Sequence, residues 1–188
     1  IERGGGSIVT IGSVAGLSAM GETSAYVTGK HALIGFTKTI AREVADKSFP
    51  FTLRFVAFGS EEVGLFGSRH YVARLAEGDE GSVIAMLNFD ALAGGTSLGV
   101  LGDDELVSDL VDIGERKGIP LRTYAALPGG ASSDHAPFDE ADIPTVFFLD
   151  EEFSRIHTTD DRLEFINAQS MGNAAALAIA LLERLARR

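Results

Sequence analysis

The feature that most constrains the fold is an apolar stretch that stops on two adjacent carboxylates. Residues 51–58 are mostly apolar, and Glu61 and Glu62 follow after a Gly-Ser pair. Such a pattern is typical of a strand covered on both faces. In open α/β sheets the carboxyl ends of these strands line the ligand crevice. We therefore predict an α/β fold in which both glutamates lie at that crevice.

Two readings of the glutamate pair stay open at this point. Adjacent carboxylates repel each other, so at a crevice they require a cation, a shared proton or contact with water. Alternatively, Glu61 and Glu62 begin a helix, where acidic side chains are favoured by the positive end of the helix dipole. The local pattern does not separate these readings.

Composition indicates a single domain with a substantial core across residues 1–188. The sequence is 45% hydrophobic and 23% charged and contains 22 glycines, which fits an α/β domain rather than a disordered chain. We expect neither a secretory signal nor a membrane span, because no window has enough consecutive apolar residues. The cellular compartment stays open.

Charge and cysteine content narrow the possible partners and ligands. A net charge of -11 argues against binding to a phosphate backbone, so we expect no nucleic-acid partner. The sequence has no cysteine, which leaves histidine and carboxylate side chains as the metal ligands.

Periodicity and turn signals predict the remaining elements. Strands are expected at residues 7–13, 82–89, 98–101, 121–124 and 145–149, and helices at residues 25–46, 63–75, 103–117 and 166–187. Within the second helix, Leu65, Phe66, Tyr71, Val72 and Leu75 are predicted to face inward. Asp103 or Asp104 is expected near the cap of the third helix.

Four short blocks resemble the zinc aminopeptidases of the M28 peptidase family. They are GSEEVGLFGS, MLNFDALA, SSDHAPFDEADIP and RIHTTDD, which occur in the family's order within residues 48–188. The resemblance implies a three-layer α/β sandwich with a mostly parallel central sheet. It also implies hydrolysis of residues from peptide N-termini.

The same resemblance implies roles for four side chains. Glu61 would be the general base, and Glu62, Asp90 and His157 would be zinc ligands. All four follow strand ends or adjacent loops, so they can converge from distant parts of the sequence. A plainer alternative for His157 is that it caps a turn before the Thr-Thr-Asp-Asp segment.

Asp134 and His135 resemble the family's Ser-Asp-His turn. We expect these two residues to support the site from behind its ligands or to form its wall. The plainer alternative is that Asp134 caps a helix, with a hydrogen-bonded His135 beside it.

Residues 1–47 resemble a different family, the short-chain dehydrogenases/reductases. Ser13, Tyr26 and Lys30 match the Ser…Tyr-x-x-x-Lys pattern of that family's catalytic strand–loop–helix. Tyr26 and Lys30 would share one helix face, where the ammonium group favours the phenolate and makes the tyrosine a usable acid–base group. The family's glycine-rich dinucleotide turn is missing, so we expect these residues to be vestigial, with no cofactor-binding site.

The chain therefore resembles two families joined near residues 47–50. The M28 family draws a further histidine ligand and a metal-bridging aspartate from the region that the reductase-like segment occupies. By position, these would fall near Ser13 and residues 22–26, yet no histidine precedes His31. We accordingly expect one zinc ion or none rather than two, and impaired activity.

Three functions follow from these observations. The first is a zinc-dependent aminopeptidase-like hydrolase with an incomplete metal site, acting on peptide N-termini. The second is a catalytically inactive chimeric scaffold, natural or engineered. The third is a reductase of the short-chain type, which the missing dinucleotide turn disfavours. An apolar surface left by the missing reductase half would favour self-association.

Overall fold

The computed structural model describes residues 5–10 and most of residues 34–188. Outside the description are residues 1–4, 11–33, 36, 40, 43, 45, 46, 48, 76–82, 93, 128–131, 153, 157 and 161. The predicted reductase-type residues Ser13, Tyr26 and Lys30 and the predicted ligand His157 therefore lie outside the described residues.

A six-stranded mixed sheet forms the centre of the fold. Its strands are β1 (Gly5–Thr10), β2 (Phe55–Ala57), β3 (Val83–Phe89), β4 (Leu98–Gly102), β5 (Leu121–Thr123) and β6 (Thr145–Asp150), in the order β2-β1-β3-β6-β4-β5. The β4–β6 pairing is antiparallel and the other four pairings are parallel. The prediction of a mostly parallel sheet is confirmed.

Helices cover both faces of this sheet. They are α1 (Phe66–Leu75), α2 (Asp104–Lys117), α3 (Ala136–Asp139) and α4 (Ala168–Leu185), with a 3-10 helix at Leu163–Phe165 and further helical residues between 34 and 44. Within the described ranges, no helix is long and apolar enough to cross a membrane.

Strand β3 shows how the sequence divides the core into two layers. Leu87 and Phe89 pack into the larger cluster with α2 and α4, whereas Met86 packs with Phe138 of α3 and Leu75 of α1. Successive side chains of a strand point to opposite faces, so an apolar strand contacts both helical layers. The predicted three-layer arrangement is confirmed.

Helix α2 begins and ends at residues suited to those positions. The Asp103 carboxylate accepts hydrogen bonds from the backbone N–H groups of Glu105 and Leu106, at 3.0 and 3.1 Å. Gly118 ends the helix with a left-handed φ of 67°, which glycine adopts without a steric cost. Asp103 is thus the cap that the sequence predicts.

The reductase-like strand is an integral part of the sheet. Strand β1 pairs in parallel with β2 through Ile8 and Phe55 and with β3 through Ile8 and Leu87. It therefore lies between two strands of the segment that resembles the M28 family. The described residues between 34 and 44 agree with the predicted helix, and the rest of that helix lies outside the description.

Of two predictions about the segment that carries the glutamates, one is confirmed only in part and the other is wrong. Strand β2 covers only Phe55–Ala57, lies at one end of the strand order and is half-buried at Phe55 and Val56 and exposed at Ala57. Phe55 does pack against the larger cluster and Val56 against the smaller one, but a strand at the margin of a sheet is covered incompletely. Phe66, predicted to face inward, is 62% exposed, and it is the first residue of α1, which was predicted to begin at residue 63.

Candidate active site

Glu61 and Glu62 lie in a closed loop of residues 59–67, here called the glutamate loop. The loop is closed by a hydrogen bond of 3.1 Å from the Gly67 N–H to the Gly59 carbonyl and one of 3.3 Å from Phe66 to Ser60. A Cβ atom at Gly67 would lie 2.6 Å from the Gly59 carbonyl oxygen. The closure therefore depends on glycine at this position.

Hydrogen bonds within the loop fix its turn at the glutamates. The Glu61 carbonyl accepts from the N–H groups of Gly64 and Leu65, at 3.1 and 3.0 Å. Ser60 and Leu65 both have left-handed backbones, with φ of 62° and 58°. Such conformations are unfavourable for residues other than glycine and persist only where the surroundings hold them.

This geometry decides between the two readings of the glutamate pair. Helix α1 starts at Phe66 and has no acidic residue in its first turn. The interpretation that the glutamates begin a helix is therefore wrong. Glu61 is half-buried and Glu62 is exposed, both in the loop that follows β2.

Asp90 follows the carboxyl end of β3 and both its carboxylate oxygens are held. Its Oδ1 accepts from the Ala91 N–H at 2.9 Å, and its Oδ2 accepts from the Ser133 hydroxyl at 3.0 Å. Its own N–H donates to the Phe148 carbonyl of β6 at 3.3 Å. These contacts orient a half-buried carboxylate at the edge where the parallel strands end.

Asn88 extends this hydrogen-bond network below Asp90. Its side chain is fully buried, and its Nδ2 donates to Ser133 Oγ at 3.0 Å and lies 3.4 Å from His135 Nδ1. The His135 ring stacks on Phe147 with centroids 4.9 Å apart. Within the described residues, Asn88 Oδ1 has no hydrogen-bond partner.

The environment of His135 favours its neutral form. Burial lowers the pKa of the imidazole below its usual value of 6.5, because desolvation penalises the cation. The negative charges of Asp139 and Asp90 act in the opposite direction but do not outweigh burial. A neutral imidazole suits a ring that is stacked on Phe147 and lies beside the Asn88 amide.

Asp134 connects the glutamate loop to the segment that holds Asp90. The carboxylate is completely buried, and its Oδ1 accepts a hydrogen bond from the Ser68 hydroxyl in α1. Ser68 Oγ also lies 3.0 Å from the Leu65 carbonyl oxygen. Residues 133–135, here called the SDH turn, therefore contact both carboxylate-bearing segments.

The helix-capping alternative for Asp134 is wrong. The residue that caps α3 is His135, and its side chain makes no capping hydrogen bond. The Asp134 carboxylate instead reaches across to Ser68. The role of the turn as a support or wall of a metal site stays a prediction.

The proposed ligands come from strands that are not neighbours. Strand β1 lies between β2 and β3, so the segments that carry Glu62 and Asp90 leave the sheet about 10 Å apart, twice the usual strand spacing. Among the residues that the structure describes, which omit His157, no three histidine or acidic side chains form a group that could hold a metal ion.

Three polar residues of this site were not predicted from the sequence. Asn88 was detectable, because it lies two residues before Asp90 and strand alternation places both on one face. Ser133 was detectable only as a hydroxyl beside Asp134. Ser68 gave no signal, because its contact with Asp134 joins residues 66 positions apart.

A cleft of about 540 Å³ lies at the β4–β5 side of the sheet. Its walls include Gly95, Tyr124 and Arg155, and the guanidinium of Arg155 lies 4.2 Å from the centre of the Phe165 ring. None of the described candidate site residues lines this cleft. This cleft is therefore distinct from the hydrogen-bond network around Asp90.

Comparison with protein families identifies the fold and its relatives. The model of peptidase family M28 matches residues 33–182, and that of the short chain dehydrogenases matches residues 1–59. The M28 match covers most of the chain, so the chain belongs to peptidase family M28. The two matches overlap across the predicted join at residues 47–50.

Curated relatives support the same family. The chain is 32% identical over 158 residues to leucine aminopeptidase 1 of Phaeosphaeria nodorum, an alignment that covers 76% of this chain and 40% of that protein. It is 31% identical over 169 residues to aminopeptidase YwaD of Bacillus subtilis, covering 81% and 35%. The chain thus spans less than half the length of these relatives.

Solved structures confirm the architecture. LapA aminopeptidase of Legionella pneumophila superposes with a TM-score of 0.80 at 23% identity, covering 99% of this chain and 53% of that one. BSAP, a zinc aminopeptidase from Bacillus subtilis, gives a TM-score of 0.80 at 24% identity, covering 98% and 47%. The three-layer fold is therefore that of zinc aminopeptidases.

Proposed function

We propose that this chain is a zinc-dependent aminopeptidase-like hydrolase domain whose metal site is incomplete. The observation that carries the proposal is the Asp90 carboxylate, oriented by Ser133 and Ala91 at the ends of the parallel strands. The SDH turn connects it to the glutamate loop. Membership of family M28 and relatives named as aminopeptidases support the same chemistry.

The donor set suits zinc in its chemistry. Glu62 and Asp90 offer carboxylate oxygens, and His157 would add an imidazole nitrogen, which gives three protein ligands of the kinds that catalytic zinc takes. A bound zinc ion would polarise a peptide carbonyl and make water easier to deprotonate. The described residues alone do not complete such a set, so His157 is essential to the proposal.

Glu61 would act as the general base. A half-buried carboxylate beside Glu62 can accept a proton from the attacking water and return it to the departing amine. The closed glutamate loop would hold it in place. The substrates we propose are peptides with a free N-terminus, and the net charge of -11 disfavours nucleic acid as a partner.

We further propose that the site holds one zinc ion or none rather than two. The reductase-like segment supplies neither the histidine nor the bridging aspartate expected near Ser13 and residues 22–26, and no histidine precedes His31. The overlap of the two family matches and the place of β1 between β2 and β3 support an origin by recombination. A catalytically inactive scaffold is the second candidate, favoured by the missing upstream histidine and bridging aspartate.

Zinc content and hydrolysis of a leucine anilide, measured on the same sample, test the proposal. Wild type is expected to bind at most one zinc ion per chain and to turn over slowly. Asp90→Asn is expected to lose zinc binding and turnover. Asp142→Asn is the control, since Asp142 is exposed with a left-handed φ of 56° that asparagine tolerates. Two bound zinc ions would refute the incomplete site, and no zinc with no turnover would favour the scaffold.

A further inference from the structure

We propose that Ser68 is a positioning residue that sets the placement of the glutamate loop relative to Asp90. This inference rests on the proposed function, because it assigns Ser68 a role in bringing two zinc ligands to one ion.

The hydroxyl of Ser68 bridges two segments that are distant in sequence. Ser68 is completely buried in the first turn of α1, and its Oγ contacts both the Leu65 carbonyl, at 3.0 Å, and Asp134 Oδ1. A hydroxyl has a single proton, which these two acceptors share. Its removal would take a donor from both partners at once, inside a region without access to water.

One partner of Ser68 lies where the glutamate loop needs support. Leu65 has a φ of 58° and is the residue whose N–H closes the turn on the Glu61 carbonyl. A left-handed leucine persists only when neighbouring contacts hold it. The buried Leu65 side chain is one such contact, and its carbonyl accepts from both the Arg69 N–H, at 2.9 Å, and the Ser68 hydroxyl.

The other partner of Ser68 leads directly to Asp90. Asp134 is adjacent in sequence to Ser133, whose hydroxyl donates to Asp90 Oδ2 at 3.0 Å. A continuous series of contacts therefore runs from Leu65 through Ser68, Asp134 and Ser133 to Asp90. It fixes the loop that carries Glu62 against the carboxylate with which Glu62 would share an ion.

Metal affinity is sensitive to such supports. Carboxylate oxygens bind zinc at about 2.0–2.2 Å, so a small displacement of one ligand lowers the affinity for the ion. Loss of a hydrogen bond that orients a ligand typically lowers metal affinity or activity about 10–100-fold. Ser68 acts on Glu62 through the backbone, and its effect should fall in this range.

The chain contains a matched control for this contact. The Ser170 hydroxyl of α4 donates to Asp150 Oδ2 at 2.8 Å, and both side chains are buried. Like Ser68 and Asp134, this pair joins a helix serine to a buried aspartate. Unlike Ser68, Ser170 does not contact the glutamate loop. Ser170→Ala therefore measures the general cost of losing a buried serine–aspartate bond.

Two measurements on Ser68→Ala and Ser170→Ala test the inference. In the metal-free protein, hydrogen exchange at the amides of residues 64–67, which donate within the loop, should accelerate in Ser68→Ala and stay unchanged in Ser170→Ala. Zinc affinity, measured by competition with a chelating dye, should fall about 10–100-fold in Ser68→Ala and by less than about threefold in Ser170→Ala.

The outcomes separate this inference from the proposed function. Unchanged exchange in Ser68→Ala overturns the inference whether or not the protein binds zinc, and so does faster exchange with unchanged zinc affinity. If wild type binds no zinc, the inactive-scaffold candidate is favoured and this ligand-positioning role fails, while the exchange result still reports on the loop contact alone. Ser68→Cys, a weak donor of similar size, replaces Ser68→Ala if the latter does not fold.

Discussion

Ser133 donates a hydrogen bond to Asp90 across 43 residues of sequence, at 3.0 Å between Oγ and Oδ2. Ser133 Oγ in turn accepts from the buried amide of Asn88, which lies in β3 two residues before Asp90. The Ser133 hydroxyl is therefore held by Asn88 of β3, and it holds the Asp90 carboxylate in turn. Strand β3 and the SDH turn together determine the direction of the Asp90 side chain.

Ser133→Ala should weaken zinc binding about 10–100-fold, because Asp90 loses a donor that orients it and Asn88 loses its acceptor. Competition with a chelating dye measures the affinity. Ser108→Ala, on the exposed side of α2, is the control and should leave the affinity unchanged. Equal affinities in the two variants would show that Ser133 does not orient Asp90 for zinc binding.

Glu61→Gln should reduce anilide hydrolysis at least 100-fold while leaving zinc content and melting temperature unchanged. A positioned general base contributes about 10²–10⁴-fold, and glutamine keeps the shape of glutamate without its basicity. Glu115→Gln, exposed near the end of α2, serves as the control. Turnover at the wild-type rate in Glu61→Gln would remove Glu61 from the mechanism.

Much of this fold follows from local sequence patterns. The apolar run before Asp90, the cap at Asp103 and the long closing helix all have short-range causes, and the structure places each within a few residues of its prediction. Strand alternation also explains why Asn88 and Asp90 share a face. These features depend on hydrogen bonds and side-chain directions within one element.

The features that sequence did not predict depend on which elements become neighbours. The apolar residues of β2 do contact both layers, but their pattern carries no information that β2 lies at the margin of the sheet. The same limit applies to Phe66, whose exposure depends on which segments pack beside the start of α1. The contact between Ser68 and Asp134 joins separate segments, and no periodicity connects them.

Stability should fall as the pH is lowered below about 6.5, in part because of His135. Burial lowers the pKa of this imidazole in the folded state, so below its usual value of 6.5 the unfolded chain binds the proton more readily. The stability of the folded state is therefore retained above that pH and declines as the pH falls toward the lowered pKa.

His135→Gln should flatten this decline, by up to about 1.4 kcal/mol per pH unit for a single proton. Urea denaturation at a series of pH values between 7 and 5 measures the slope. His70→Gln, at an exposed position of α1, is the control and should keep the wild-type slope. A slope in His135→Gln equal to that of wild type would assign the acid sensitivity to other groups.

A pair of glycine substitutions tests the closure of the glutamate loop. A Cβ at Gly67 would lie 2.6 Å from the Gly59 carbonyl oxygen and 2.9 Å from its nitrogen, whereas a Cβ at Gly172 in α4 has nothing within 4 Å. Gly67→Ala should therefore destabilise the protein by about 1–3 kcal/mol, because backbone atoms must move apart to make room. Gly172→Ala should stabilise it by about 0.5–1 kcal/mol, because alanine is the better helix former at an open position.

The free energy of unfolding of both variants can be measured by urea denaturation, alongside hydrogen exchange at residues 64–67. Gly67→Ala should expose these amides, since the bonds that close the loop lie directly beside the added methyl group. Gly172→Ala should leave their exchange unchanged, because α4 is distant in sequence and its effect is local to the helix. If Gly67→Ala were as stable as wild type with unchanged exchange, the loop would not be closed by the approach of Gly59 to Gly67, and the placement of Glu61 and Glu62 would require a different support.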